Sequence, residues 1–260
     1  MLLTLNLVLC IGYSWCVNAA LLVSEDFNYT DGSTIKDANG GTGWSNAWSG
    51  SGEDNVIISD NLDYTGAIAP SGGSALRSGG NDISVGRSFS TNYGGDGDTG
   101  TSVWISFLAK KPGGFGYGYV SLGGDGSSLS LYAPTADTWF TRVGNTNIYD
   151  SGMSSFDTVM MLYKVDFASG AVSNLDDLSV WYNPDLSGGE AGLGAATVTS
   201  SDYNFTFDSI GIRGWTGNSM QVDNIKIGEG FADVVAIPEP GTFFLLGLGL
   251  LGMLAFRKRS

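Results

Sequence analysis

The residues able to do chemistry are few. The chain has no histidine and five glutamates, Glu25, Glu53, Glu190, Glu229 and Glu239. Glycoside hydrolysis needs two carboxyl groups facing one bond at about 5 to 9.5 Å, and no run of alternating acids sets such a pair on one strand face. Asp166 and Asp223 stand singly and read as strand-end or turn carboxylates, the usual post for Asp. Serine is plentiful, but without histidine its activation requires a lysine or an N-terminal amine. Lyase chemistry on a uronate requires tyrosine together with histidine, arginine or lysine. Tyr163 and Lys164 are adjacent, and successive strand residues point to opposite faces. The body therefore reads as non-catalytic.

Binding chemistry has more support. Calcium is the candidate ion, because hard cations take oxygen ligands and Asp96 and Asp98 lie in the glycine-rich loop Gly94-Gly95-Asp96-Gly97-Asp98-Thr99-Gly100. Gly123-Gly124-Asp125-Gly126 is second. Neither completes an EF-hand loop or a repeated calcium nonapeptide, and a solvated acidic turn is the competing reading. Among the tryptophans, Trp104 and Trp181 lie within strand-like runs and are expected in the core. Trp44, Trp48 and Trp215 sit beside Gly, Ser or Thr and are the candidates for a ligand face, where rings can stack on sugar C–H groups.

The charge balance narrows the partners. Lys and Arg total 12 against 26 Asp and Glu; setting aside Arg257, Lys258, Arg259 and Glu239 leaves 9 against 25, a net of −16. Such a body repels phosphate backbones, so nucleic acid is excluded as a partner. The only cysteines, Cys10 and Cys16, fall in a segment expected to be removed. Residues 1–20 combine an apolar stretch with the small-residue run Val17-Asn18-Ala19-Ala20, the pattern of a helical signal segment cut by signal peptidase after Ala19 or Ala20.

At the other end Pro238-Glu239-Pro240 precedes an apolar run over residues 241–256 and the basic cluster Arg257-Lys258-Arg259. Sixteen helical residues span about 24 Å against a hydrocarbon core of about 30 Å, which makes a short transmembrane helix. The basic cluster stays cytoplasmic by the positive-inside rule. Pro-Glu-Pro, a short Gly/Leu-rich helix and a terminal Arg/Lys cluster, in that order, resemble the PEP-CTERM sorting signal over residues 236–260. The resemblance implies processing by an exosortase-type protease, a transient membrane anchor, and a final place at the surface or matrix of a Gram-negative, exopolysaccharide-making cell.

Between the ends, residues 21–235 alternate strand-like runs with Gly, Asn, Asp and Ser turns, without helical periodicity. The strongest runs cover 102–110, 116–122, 128–132, 139–143, 158–167, 178–183, 204–213 and 220–227, among about a dozen in all. That pattern predicts an all-β, antiparallel β-sandwich. Glu25-Asp26-Phe27, the run from Asn39 through Gly40-Gly41-Thr42-Gly43-Trp44 to Trp48, Lys164-Val165-Asp166-Phe167, Leu178 to Pro184, and Val222-Asp223-Asn224-Ile225-Lys226-Ile227-Gly228 resemble concanavalin-like and laminin-G-like jelly rolls. The resemblance implies two antiparallel sheets, one of which meets carbohydrate or protein ligands. The expected function is that of an exported, non-catalytic surface or matrix protein associated with polysaccharide. A secreted carbohydrate-active enzyme on the same jelly roll, a hydrolase or lyase, is the alternative.

Overall fold

The structure, a computed structural model, describes residues 20–50, 55–64, 72–77, 83–94, 101–113, 116–123, 128–134, 137–168, 175–214 and 219–235. The signal segment 1–19, the apolar run 241–256 and the whole sorting tail lie outside them. The described chain is almost entirely antiparallel β, as the alternation predicts, in two sheets that form a jelly-roll sandwich.

The larger sheet has eight strands. It runs from β13 (Val198–Tyr203) through β12 (Asp176–Tyr182), β11 (Val159–Asp166) and β6 (Ser102–Gly113) to β15 (Ser219–Gly228). Beyond β15 the edge divides: β4 (Ser74–Arg77), followed by β3 (Asn55–Ile58), pairs Met220 to Val222, whereas β1 (Leu21–Glu25) pairs Ile225 to Gly228. The other sheet has seven strands: β10 (Thr146–Ser154), β9 (Thr138–Val143), β8 (Leu129–Ala133), β7 (Gly118–Leu122), β14 (Thr206–Gly214), β5 (Ile83–Gly94) and β2 (Ser49–Gly50).

Alternation sorts the side chains. In β7 the inward set Gly118, Val120 and Leu122 is buried while Tyr119 and Ser121 face out. Val120, Leu122, Leu131, Ile210 and Ile212 from one sheet join Ile105, Phe107, Met161, Tyr163, Val180 and Val222 from the other in one continuous core. Each such side chain removed from water contributes about 1.5 to 3 kcal/mol, against the ordering entropy of the chain.

A buried ion pair crosses this core. Glu25, at the end of β1, and Arg87, in β5, are 1% and 2% exposed and meet at 2.8 Å. The carboxylate also accepts from Tyr29 Oη (2.8 Å), Trp48 Nε1 (3.0 Å) and the Phe27 amide (3.0 Å). Arg87 donates to the carbonyls of Asn46 (2.6 Å) and Gly40 (2.8 Å) and to Asn39 Oδ1 (2.6 Å), with Trp44 4.7 Å from its guanidinium carbon. Burial, followed by the charge of Glu25, pushes the Tyr29 hydroxyl up to about 12. The segment supplying these carbonyls is held by a Ser24–Thr42 bridge to β1 and a Trp44–Phe89 bridge to β5. Gly41 and Gly43, at φ 68° and 79°, make that approach possible: a Cβ on either would lie 2.1 and 2.0 Å from the carbonyl oxygens of Ser24 and Leu22.

The larger sheet has a second, smaller core on its outer face. Trp104 and Trp181, expected in the core, stack there at 5.7 Å, and Phe231 meets Trp104 edge-on at 5.4 Å. Leu62, Leu186, Val234 and Val235 complete the cluster. Phe231 and Val234 belong to a single helical turn, α1 (Phe231–Val234), and Ser106 Oγ donates to the Val234 carbonyl at 2.6 Å. The last described residues are thus packed against the sandwich.

Two outcomes test this account. Phe231→Ala should cost about 3 to 5 kcal/mol, the usual loss for a buried phenyl ring, whereas ending the chain after Val235 should leave the thermal midpoint within a few degrees; calorimetry of both forms decides. Glu25→Ala strands the Arg87 charge in the core and should cost about 3 to 5 kcal/mol, with chemical denaturation as the readout.

Candidate functional site

The outer face of the seven-stranded sheet carries two cross-strand rows. Arg213 of β14 pairs with Tyr119 of β7, Tyr119 with Tyr132 of β8, and Tyr132 with Phe140 of β9. Two residues along, Gly211, Ser121, Ser130 and Arg142 occupy the same four strands in the same order. Positions two apart share a face, so a ridge of rings runs beside a floor of Gly and Ser, with an arginine at opposite ends of the two rows.

These residues close into a groove of about 310 Å³ lined by Tyr117, Tyr119, Tyr132, Arg142, Asn145 and Arg213. The three tyrosine rings lie 6.0 to 6.4 Å apart between centroids. The guanidinium carbon of Arg142 sits 4.9 Å from the Tyr132 ring, and Nη2 donates to Asn145 Oδ1 at 2.9 Å. Arg213 donates from Nη1 to Tyr119 Oη at 3.0 Å. Guanidinium on a ring face holds the cation in place without neutralising it, and planar N–H donors fit carboxylate or sulfate oxygens in pairs. A larger depression of about 710 Å³ lies among residues 28–38, but its one ring, Tyr29, has its hydroxyl engaged by Glu25 and the Gly40 amide. The groove is the better site because it gathers rings and cations from four strands.

The residues singled out in the sequence fall elsewhere. Trp48, expected on a ligand face, is 0% exposed: its ring stacks on Phe27 at 5.9 Å and its N–H serves Glu25. Trp44 is half-buried between Phe89 and Trp48, beneath Arg87, with Nε1 donating to the Ser24 carbonyl at 2.9 Å; it serves the ion pair. Trp215, Asp96 and Asp98 lie outside the described residues, as do Pro238, Glu239, Pro240, Arg257, Lys258 and Arg259. Tyr163 and Lys164 do part to opposite faces, the first into the main core and the second over Trp104. Asp166 is a partly exposed carboxylate paired with Lys164 at 3.1 Å. Asp223 is a correction: it is no turn residue but lies inside β15, 0% exposed. Among the described residues no three His, Cys, Asp or Glu gather as a metal cluster, and no helix is long and apolar enough to cross a membrane.

A signal for the groove did exist in the sequence. Gly116-Tyr117-Gly118-Tyr119-Val120-Ser121-Leu122 alternates, so Tyr117 and Tyr119 must share the polar face, and Arg142 is out of phase with Trp139, Thr141 and Val143. The partnership between those strands and β14 was not legible.

The architecture defines an antiparallel jelly-roll sandwich with a ring-and-cation groove on the outer face of one sheet. Solved structures with a similar arrangement include the Emp47p carbohydrate recognition domain (9% identity, 80% of this chain and 97% of that one, TM-score 0.45). A PL-14 alginate lyase from Aplysia kurodai is similar at 9% identity, 80% and 99% coverage and TM-score 0.46. Arcelin-5, a lectin-like defense protein from Phaseolus vulgaris, matches at 8%, 80% and 97%, with TM-score 0.41. No curated protein matches the chain by sequence. Residues 236–260 match the PEP-CTERM protein-sorting motif. The chain therefore carries a PEP-CTERM signal, which marks an exported protein made as a membrane-anchored precursor and sorted to the cell surface, and implies processing by exosortase.

If the groove arginine is held as described, Tyr132→Ala should leave the fold intact and cost under about 1 kcal/mol in stability, the scale of an exposed cation–π contact. A thermal melt compared with that of wild type checks it.

Proposed function

We propose that this is a non-catalytic surface or matrix protein of a Gram-negative bacterium, and that its groove binds a polysaccharide bearing carboxylate or sulfate groups. The observation that carries the reading is the convergence of Tyr117, Tyr119 and Tyr132 with Arg142 and Arg213 in one open groove. Tyrosine faces suit the C–H side of pyranose rings, and two guanidinium groups on a body of formal net charge −14 suit an anionic substituent there and nowhere general. The sorting tail supplies the location, since the cell surface is where such a polymer lies.

One observation favours a second reading. A tyrosine-and-arginine cluster is the constellation that lyase chemistry on a uronate requires: arginine would neutralise the carboxylate and a tyrosine would exchange the ring proton. The binding reading takes precedence because the arginines and tyrosines engage one another, Arg142 over the Tyr132 ring and Arg213 on Tyr119 Oη, and the chain has no histidine to serve as a base.

Titration calorimetry of the full chain in mild detergent with uronate oligosaccharides, and with neutral glucan of the same length, tests the proposal. Binding is expected for the acidic polymer alone, and Arg142→Ala or Arg213→Ala should each weaken it about tenfold, the scale of one charge-assisted contact. Equal binding of the neutral glucan, or none of either, would overturn it. Ultraviolet absorbance from unsaturated products during the same incubation would instead establish the lyase.

A further inference from the structure

We propose that the divided edge of the larger sheet holds a calcium ion on Asp223 and Asn61. Along β15 the partner strand changes from β4, beside Met220 to Val222, to β1, beside Ile225 to Gly228. The pairing of β15 with β6 also shifts between Asp223 and Lys226, and Asn224 takes a left-handed φ of 52°. The ladder thus opens at Asp223, and three other segments converge there. Leu62 donates its amide to Asp223 Oδ2 at 3.0 Å, which seats Asn61 beside the carboxylate. Gln221 Nε2 and Ser74 Oγ both donate to the Asp60 carbonyl, at 2.9 and 2.6 Å, and so fix this run against β15 and β4. Asp26, just past β1, pairs with Lys226. Gly72 comes so close that a Cβ there would lie 2.1 Å from the Asp26 carbonyl oxygen.

Two oxygens in this gap have no donor. Asp223 Oδ1, in a side chain 0% exposed, and the buried Asn61 Oδ1 accept no hydrogen bond. Buried polar atoms in folded proteins usually find a partner, and an unpaired carboxylate oxygen in the interior is costly. Both orphans are oxygens, both can only accept, and one belongs to a carboxylate. A hard divalent cation is the partner that satisfies acceptors alone; calcium takes six to eight oxygens in flexible geometry and readily uses amides and backbone carbonyls beside one or two carboxylates. Lys226, the cation already near, is engaged by Asp26. The site would tie β1, β3, β4 and β15 together where the sheet lacks continuous backbone pairing.

The test is the thermal midpoint of the full chain in mild detergent, stripped with chelator and titrated with calcium chloride. A site present only in the folded state raises the midpoint by about 5 to 10 °C at a hundredfold excess over Kd for a body of this size. The rise should vanish in Asp223→Asn, shrink in Asn61→Ala, and survive in the double variant Asp96→Asn, Asp98→Asn. No rise in wild type at millimolar calcium overturns the proposal, as does a full rise in Asp223→Asn or its loss in the double variant alone. Should Asp223→Asn not fold, an undiminished rise in Asn61→Ala overturns it equally.

Discussion

The sandwich depends on one buried ion pair. Glu25 and Arg87 come from different sheets, and neither charge would be tolerable in the core alone, since the desolvation of each is several kcal/mol. What makes the pair viable is its hydrogen bonding: the carboxylate takes donors from Arg87, Tyr29, Trp48 and the Phe27 amide, and the guanidinium donates three further N–H groups to Asn46, Gly40 and Asn39. Such a set can be completed only when β1, β5 and the segment 39–48 are all in place. The interaction therefore acts as a registration device between the sheets, and the glycines at 41 and 43 are there because the backbone carrying those carbonyls must come within contact distance of β1.

With the sheets registered, their outer faces divide the work. The outer face of the larger sheet is covered by Leu62, Leu186, Phe231 and the residues around them, and Val235, the last described residue, packs into that sealed apolar surface. The seven-stranded sheet keeps small and hydroxyl side chains outside, with Tyr119, Tyr132, Arg142 and Arg213 rising from a floor of Gly211, Ser121 and Ser130. The groove thus lies on the opposite side of the sandwich from Val235, the last described residue.

On the proposed reading, the outer rows let an acidic chain address an acidic polymer. Long-range repulsion from a net charge of −14 is damped within about 10 Å at 0.1 M salt, whereas arginines packed over tyrosine rings act at contact. Recognition is then a local matter of ring faces and guanidinium planes, and net charge suppresses adhesion elsewhere on the surface.

Much of this was determined by the sequence alone. The sorting motif is a contiguous run whose order of Pro-Glu-Pro, apolar segment and basic cluster carries its own meaning. The eight strongest strand-like runs all became strands because short apolar, β-branched and aromatic runs bounded by turn residues are a local property of the chain. Strands such as β10, none of whose residues is buried at its sheet edge, left no alternation to read, and in β5 the inward Arg87 interrupts the apolar phase. The tryptophans misled for the same reason: Trp48 beside Ser and Gly looks like a surface ring, yet its N–H is needed by a glutamate 23 positions earlier. Which tyrosines stand beside which arginines, and which buried oxygens are left without donors, followed from strand order and from the divided edge at β15. Those are non-local pairings among residues as much as 200 positions apart, and only the tertiary structure decided them.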